Sequence, residues 1–415
     1  MQFKKVSMIG LGYIGLPTAA IMASRGLEVI GVDVNQQAVE TINQGKIHIV
    51  EPDLDIVVRS VVQTGQLRAT TVPEAADAFL IAVPTPFQEE HQPDLSYIGA
   101  AAQAIAPVLT QGNLVVLEST SPVGTTEQLA GWLADARPDL SFPQQDAEHA
   151  DILIAHCPER VLPGHVLHEL VSNDRIIGGM TPRCAQAAMQ LYKVFVKGEC
   201  LITDARTAEL SKLTENAYRD VNIAFANELS LICEELHVNV WELIELANRH
   251  PRVNILQPGP GVGGHCIAVD PWFIVDSAPK QARLIRTARE VNDNKPEQVL
   301  EKVKAKAERF KKAKIACFGL AFKANIDDLR ESPALHIVQQ LAHDEVGELL
   351  VVEPHITALP ESLTAYPHVD IYGINAALEQ ADIVLGLVDH DAFRRIDQDL
   401  LKEKIVIDCR GMWRG

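Results

Sequence analysis

Val6-Ser7-Met8-Ile9-Gly10-Leu11-Gly12-Tyr13-Ile14-Gly15 decides the reading of this chain. A short aliphatic run flows into a full G-x-G-x-x-G, and Leu16-Pro17-Thr18-Ala19-Ala20 continues at helical spacing. Strand, glycine turn and helix in that order form the fingerprint of a dinucleotide-binding βαβ unit. Gly10 permits the tight turn, Gly12 lets the backbone approach a pyrophosphate, and Gly15 lets helix and strand pack closely. The amides around Tyr13 and Ile14, at the start of the helix, would then face the phosphates. The next strand, Glu28 to Asp33, ends on a carboxylate eighteen residues past Gly15. That carboxylate suits the hydroxyls of a ribose and repels a 2′-phosphate. No Arg follows it in Val34-Asn35, so NAD is favoured over NADP.

Further aliphatic runs at 79–84, 113–118 and 152–156 suit parallel strands covered on both faces. From Thr203 the period changes: Leu210, Leu213, Ala217, Val221, Phe225, Leu229 and Ile232 recur every three or four residues. Thr203 or Asp204 can cap this long helix, and Asn239, with Glu242 three residues on, can cap a second one. A Pro/Gly-rich loop follows from His250 to Gly264, then a helical stretch at roughly 295–312. Aliphatic runs restart at 314–319, 349–354, 382–387 and 404–408. The fold class that follows is α/β, with two Rossmann-like, doubly wound parallel-sheet domains joined by a helical middle domain. The boundaries expected are 1–200 for the NAD-binding domain, 201–300 for the central helices and 301–415 for the second α/β domain.

Composition excludes several classes of function. The chain has 415 residues, of which 47% are hydrophobic and 22% charged, as in a globular protein. A net charge of −18 argues against a nucleic-acid surface. Membrane-length apolar stretches and a leader pattern are not found, which gives a cytoplasmic expectation. Seven cysteines without a C-x-x-C pair make a disulfide framework or a zinc module a poor fit, and no metal site is expected.

Most of those cysteines sit inside apolar runs and read as small buried hydrophobes. Cys266 differs, because it closes Pro258-Gly259-Pro260-Gly261-Val262-Gly263-Gly264-His265-Cys266, a loop whose glycines can bring amides close to a ligand. A loop thiol near basic groups can be held partly as thiolate. Lys212, Asn216 and Arg219 share one face of the long helix, a pattern a solvated polar stripe would also give. Strand-end polar residues at Thr85 and along Glu118 to Thr126 lie where an open α/β sheet keeps its ligand crevice, although threonines there are also ordinary turn chemistry.

Together these motifs resemble the UDP-glucose/GDP-mannose dehydrogenase family over nearly the whole chain. The family's S-T-x-P-V-G stands here as Ser119 to Gly124, its P-E segment as Pro158-Glu159-Arg160-Val161, and its E-L-x-K helix as Glu209 to Lys212 with Asn216. The cysteine loop is matched from Gly259. The C-terminal pattern appears as Gly319-Leu320-Ala321-Phe322-Lys323 with Asp328-Leu329-Arg330-Glu331-Ser332. The resemblance implies oxidation of a sugar C6 alcohol to the acid. Cys266 would be the thioester-forming nucleophile, and Lys212 the general acid/base and oxyanion partner with Asn216. Asp270 would orient water, Glu159 would assist it, and Thr120 would lie near the reacting centre. Arg160, Val161, Arg219, His250, Arg252, Gly263 and Lys323, together with Lys212 and Asn216, would line the sugar-nucleotide site. Thr85, Thr126 and Arg330 would attend the cofactor beside the glycines and Asp33. The second α/β domain, with Gly319 alone where a dinucleotide fold needs three glycines, would hold the UDP.

The family's UDP-glucose members usually carry Lys just before the aspartate, where this chain has Val269. The stretches 248–254 and 160–164 resemble the N-acetylhexosamine branch, and the substrate implied is UDP-N-acetyl-D-mannosamine. Its uronate serves surface polysaccharides such as enterobacterial common antigen. The resemblance also implies a homodimer through the central helix. Rival readings are a β-hydroxyacid-type dehydrogenase, which needs no thiol, and a sugar-nucleotide sensor that does not react. UDP-N-acetylglucosamine and UDP-glucose are the alternative substrates.

Overall fold

The computed structural model describes residues 3–88, 91–162, 164–264 and 266–414; Pro163 and His265, quoted within motifs above, lie outside them. Two compact units emerge, residues 1–215 and 216–415.

In the first unit the strands are β1 (Lys5–Ile9), β2 (Glu28–Val32), β3 (Leu67–Thr70), β4 (Ala78–Ile81), β5 (Leu114–Leu117), β6 (Leu153–His156), β7 (Arg175–Gly179) and β8 (Cys200–Asp204). They form one sheet in the order β3-β2-β1-β4-β5-β6-β7-β8. The first six run parallel in the doubly wound 3-2-1-4-5-6 order, and the chain reverses direction across it between β1 and β4. β7 pairs antiparallel with β6, and β8 follows β7 in parallel, so the sheet is extended by a reversed pair that the aliphatic runs did not reveal. Alternate residues feed two cores. Val6, Met8 and Leu80 pack on one face, Ile9, Phe79 and Ile81 on the other.

The second unit holds a five-stranded sheet of β9 (Ala313–Phe318), β10 (Gly347–Val352), β11 (Val369–Ile371), β12 (Ile383–Gly386) and β13 (Ile405–Asp408). All are parallel, in the order β11-β10-β9-β12-β13. Again the faces alternate, with Ile315 and Cys317 in one core and Ala316 and Phe318 in the other.

A helix of 31 residues, Ala205–Glu235, begins in the first unit and continues into the second. Asp204 caps it, accepting the Thr207 N–H at 2.9 Å and its hydroxyl at 2.6 Å. Asn239 caps the Val240–Ala247 helix by accepting N–H groups from Trp241 and Glu242. The stretch expected at 295–312 is in fact one helix, Arg283–Ala307, that runs through Pro296. Its first half is too polar to read as helix, and proline reads as a start. Buried hydrogen bonds from Arg289 and Asn292 to Asp220 fasten the part before Pro296 to the 205–235 helix.

Candidate active site

β1 delivers the chain into Gly10 at φ +91°, and a Cβ there would lie 2.4 Å from the Ala82 carbonyl oxygen. One on Gly15 would lie 1.8 Å from the Gly10 carbonyl oxygen. Those two glycines are needed by the protein's own packing. A Cβ on Gly12 would meet nothing within 4 Å, so packing does not demand glycine at that position. Space left open over a backbone turn is what a close-lying pyrophosphate needs. Ile14 stands at the N-cap of the Gly15–Ser24 helix, and its apolar side chain offers the first amides no acceptor. Tyr13 is exposed and Ile14 half-buried at this turn. Asp33 accepts the Leu11 N–H on one oxygen and the Asn35 N–H on the other, each at 2.9 Å. It is half-buried. The cradle fits NAD: an acid at the strand end, an open glycine and a helix start whose N-cap side chain is apolar.

The neighbouring strand ends are laced together. The Thr85 hydroxyl donates to the Thr120 carbonyl at 2.6 Å, and the Ser119 hydroxyl donates to the Val83 carbonyl at 2.7 Å. Thr126 is fully buried, and its hydroxyl and N–H both go to Glu209, at 2.6 and 2.7 Å. The other Glu209 oxygen accepts the Gly124 N–H at 2.6 Å. Glu209 thus caps the Thr125–Ala136 helix, a task nothing in the sequence advertises.

Glu159 is buried just past β6. One oxygen accepts the Arg160 N–H at 2.6 Å, and the other accepts Arg175 Nη1 at 2.5 Å. Arg160 itself donates to Glu215 at 2.8 Å and to the Asp174 carbonyl at 2.5 Å, while Val161 is half-buried beside it. Nearby, the Tyr192 hydroxyl donates to Glu118, whose carboxyl burial pushes up to about 7. Burial also pushes the imidazole of His156, the last residue of β6, down to about 3.

Lys212 is half-buried, and Asn216 and Arg219 follow it along the same helix. In the second unit, Asn216 Nδ2 donates to Asp270 Oδ2 at 2.6 Å, in a buried contact. Asp270 opens the Asp270–Ser277 helix, and its N–H donates to the Cys266 carbonyl at 2.9 Å. The Cys266 side chain is exposed. The structure therefore puts Cys266 and Asp270 in one tight turn, which Asn216 holds from the long helix. Gly263 takes its place by necessity, since a Cβ there would lie 2.2 Å from the Glu331 carbonyl oxygen.

Lys323 lines a cavity of about 300 Å³ at the carboxyl ends of β9 and β12, with Gly261, Phe322, Asp389 and Arg410. Arg410, which donates to Asp389 at 3.0 Å, carries no sequence motif. His250 and Arg252 share an exposed turn in which the Arg252 N–H donates to His250 Nδ1 at 3.3 Å. Arg330 is exposed and forked onto Asp328 at 2.8 and 2.6 Å.

The two nucleotide frames repeat one another. Gly319, at φ +98°, donates its N–H to the Val352 carbonyl at 2.9 Å, as Gly10 does to Val32 at 2.8 Å. Glu353 then accepts the Leu320 N–H at 2.8 Å, as Asp33 accepts that of Leu11. Unlike Asp33, Glu353 is buried and also meets Ala321 N–H, His355 N–H and His390 Nε2. The Asn325 N–H donates to His390 Nδ1, which leaves neither ring nitrogen open to a metal. Glu353, His355 and His390 stand close enough to hold an ion, but these hydrogen bonds give the trio a structural task.

Residues 4–196 match the NAD binding domain of the UDP-glucose/GDP-mannose dehydrogenase family, residues 206–294 its central domain and residues 316–415 its UDP binding domain. The chain is 70% identical to an NDP-N-acetyl-D-galactosaminuronic acid dehydrogenase of Ralstonia nicotianae, covering 100% of this chain and 97% of that protein. It is 63% identical to the UDP-N-acetyl-D-mannosamine dehydrogenase of Salmonella typhi, covering 100% of both. A solved UDP-D-ManNAc dehydrogenase from Pyrococcus horikoshii superposes with a TM-score of 0.86 at 39% identity, over 99% of this chain and 96% of that one.

Proposed function

Because the chain belongs to the UDP-glucose/GDP-mannose dehydrogenase family, we propose that it oxidises the C6 alcohol of a UDP-linked N-acetylhexosamine to the carboxylate, with NAD, through a thioester on Cys266. One observation carries the reading: an exposed thiol at the end of a glycine loop, tied to a buried Asn216–Asp270 pair, in a chain that also bears a dinucleotide cradle. NAD, when bound, takes up a hydride in each of the two oxidations.

The residues divide the remaining work. Carbon must not leave between the two oxidations, so the Cys266 thiolate adds to the aldehyde and holds it covalently. Lys212 stabilises the oxygen that becomes anionic, and as an amine it can also take up and return a proton, which Arg cannot do. Asp270, oriented by Asn216, directs a water onto the thioester, and hydrolysis returns the thiol and releases the carboxylate. Glu159 supports that water. Arg160, Val161, Arg219, His250, Arg252 and Gly263 are assigned to the sugar nucleotide. Its UDP is assigned to the cavity at Lys323 and Arg410, and Arg330 to the cofactor.

UDP-N-acetyl-D-mannosamine is the substrate proposed, on the Salmonella and Pyrococcus relatives. The Ralstonia relative favours the galacto configuration as the second reading. No helix among the described residues is long and apolar enough to cross a membrane. The cytoplasm is the compartment proposed, where NAD and nucleotide sugars are found, and the uronate formed would supply surface polysaccharide. The central helix is proposed to pair with that of a second copy.

The test is the NADH formed per sugar consumed, with UDP-N-acetylmannosamine, UDP-N-acetylgalactosamine, UDP-N-acetylglucosamine and UDP-glucose in parallel. Two NADH per UDP-N-acetylmannosamine, and none from Cys266→Ala beyond the first, support the reading. A ratio of one in the unaltered protein sinks the thioester, and turnover confined to another sugar replaces the substrate alone.

A further inference from the structure

The turn that carries Cys266 is fastened at its far end by Asn216 on Asp270. Its entrance is fastened by the same helix, eleven residues further on. The Gly259 N–H donates to Asn227 Oδ1 at 2.8 Å, in a buried contact. An asparagine amide can present either its oxygen or its nitrogen, and only the oxygen can meet an N–H. What fixes that choice is a chain of side chains leading away from the loop.

Asn227 Nδ2 donates to Asn292 Oδ1 at 2.9 Å. Asn292 Nδ2 donates in turn to Asp220 Oδ1 at 2.7 Å and to the Asp220 carbonyl at 3.1 Å. Arg289 Nη1 donates to the same Asp220 oxygen at 2.5 Å, and its other terminal nitrogen reaches Asp293. Asp220, Asn227, Arg289 and Asn292 are each at most 1% exposed. A carboxylate accepts only, so it forces Asn292 to turn its nitrogen inward. Asn292 must then offer its oxygen to Asn227, and Asn227 its oxygen to Gly259.

We propose that Arg289, Asp220, Asn292 and Asn227 form a positioning relay for the Cys266 loop, in which a buried charge sets the direction of two side-chain amides and so holds the loop entrance at Gly259. None of the four is a catalytic residue. They act through the loop, and the inference rests on the proposed role of Cys266.

The test uses the full chain and reads thiol alkylation by iodoacetamide beside steady-state kinetics. Asn292→Leu removes the link two bonds from the loop and frees the Asn227 amide to turn over. It is expected to lower kcat roughly ten- to a hundredfold with the KM for NAD unchanged, as misplacement of a reacting group does. The alkylation rate of Cys266 should change several-fold. Asn227→Ala leaves the buried Asp220–Arg289 pair intact, so it guards against loss of folding, and the same two changes are expected from it. In the unaltered protein the Gly259 amide hydrogen should exchange as slowly as the sheet amides. Variants that melt earlier yet keep kcat and alkylation rate would make the relay a matter of stability alone and overturn the proposal, as would a fast-exchanging Gly259 amide. Cys266→Ser separates the two readings: if it still forms two NADH per sugar, the thioester fails, while Gly259 exchange, and alkylation in the variants that keep Cys266, continue to report on the loop.

Discussion

Gly12 and Gly15 are glycines for opposite reasons, and substitution should tell them apart. A Cβ on Gly12 points into open space, so Gly12→Ala is expected to keep the melting temperature and raise the KM for NAD about tenfold or more. On Gly15 the same methyl would strike the Gly10 carbonyl, so Gly15→Ala is expected to cost about 1–3 kcal/mol of stability. Thermal melts and NAD titration of both variants check the contrast. His156 supplies a pH signature. Its folded pKa of about 3 lies below the ordinary 6.5, so the unfolded chain binds the extra proton first. The stability that His156 contributes is fully present above about 6.5 and is lost as pH falls towards 3, on the order of several kcal/mol. His156→Leu should flatten that acid limb in denaturant titrations. Equal slopes in both proteins would show that the imidazole is not buried neutral.

Elements were legible where an aliphatic run is unbroken, in most cases because both faces of the strand are buried, although edge strand β13 buries only Ile407. The nine aliphatic runs became β1, β2, β4, β5, β6, β9, β10, β12 and β13. Those that escaped are edge or reversed strands with weak patterns: β3 buries only alternate residues, β8 is largely exposed, β7 ends in glycines, and β11 spans three residues. The cysteine loop and the glycine turn were legible because backbone geometry restricts them to particular residues. Glu209, Arg410 and the Asn227–Asn292 pair were not, because a buried polar residue is explained only by the partner that satisfies it, and that partner is distant in the chain. The 205–235 helix also carries a stripe that nothing in the chain's own packing requires: Tyr218, Phe225 and Ile232, seven residues apart and 70%, 56% and 45% exposed. Phe225→Glu is expected to convert a dimer into a monomer in sedimentation. An unaltered protein that already sediments as a monomer would remove the pairing proposed for this helix.

At the scale of the whole molecule, one strand-turn frame is used twice and finished differently. Both sheets send their first strand into a glycine at positive φ, and both close the following turn with the acid that ends the neighbouring strand. In the first unit that acid remains half-buried beside an open glycine. In the second it is walled in by His390 and three backbone amides. A carboxylate so enclosed has no lone pair to spare for a ribose. On the assignment proposed, a nucleotide there meets the cations Lys323 and Arg410, whereas in the first unit it meets backbone N–H groups and Asp33. Cation contacts fade with ionic strength and amide contacts largely do not. Raising salt from about 0.05 to about 0.5 M should therefore increase the KM for the sugar nucleotide more steeply than that for NAD, and Lys323→Gln should narrow the difference. On that assignment, sealing one carboxylate would give the enzyme two nucleotide grips that respond differently to the ionic content of their surroundings, so that the supply of substrate and the supply of oxidant could be weighed separately.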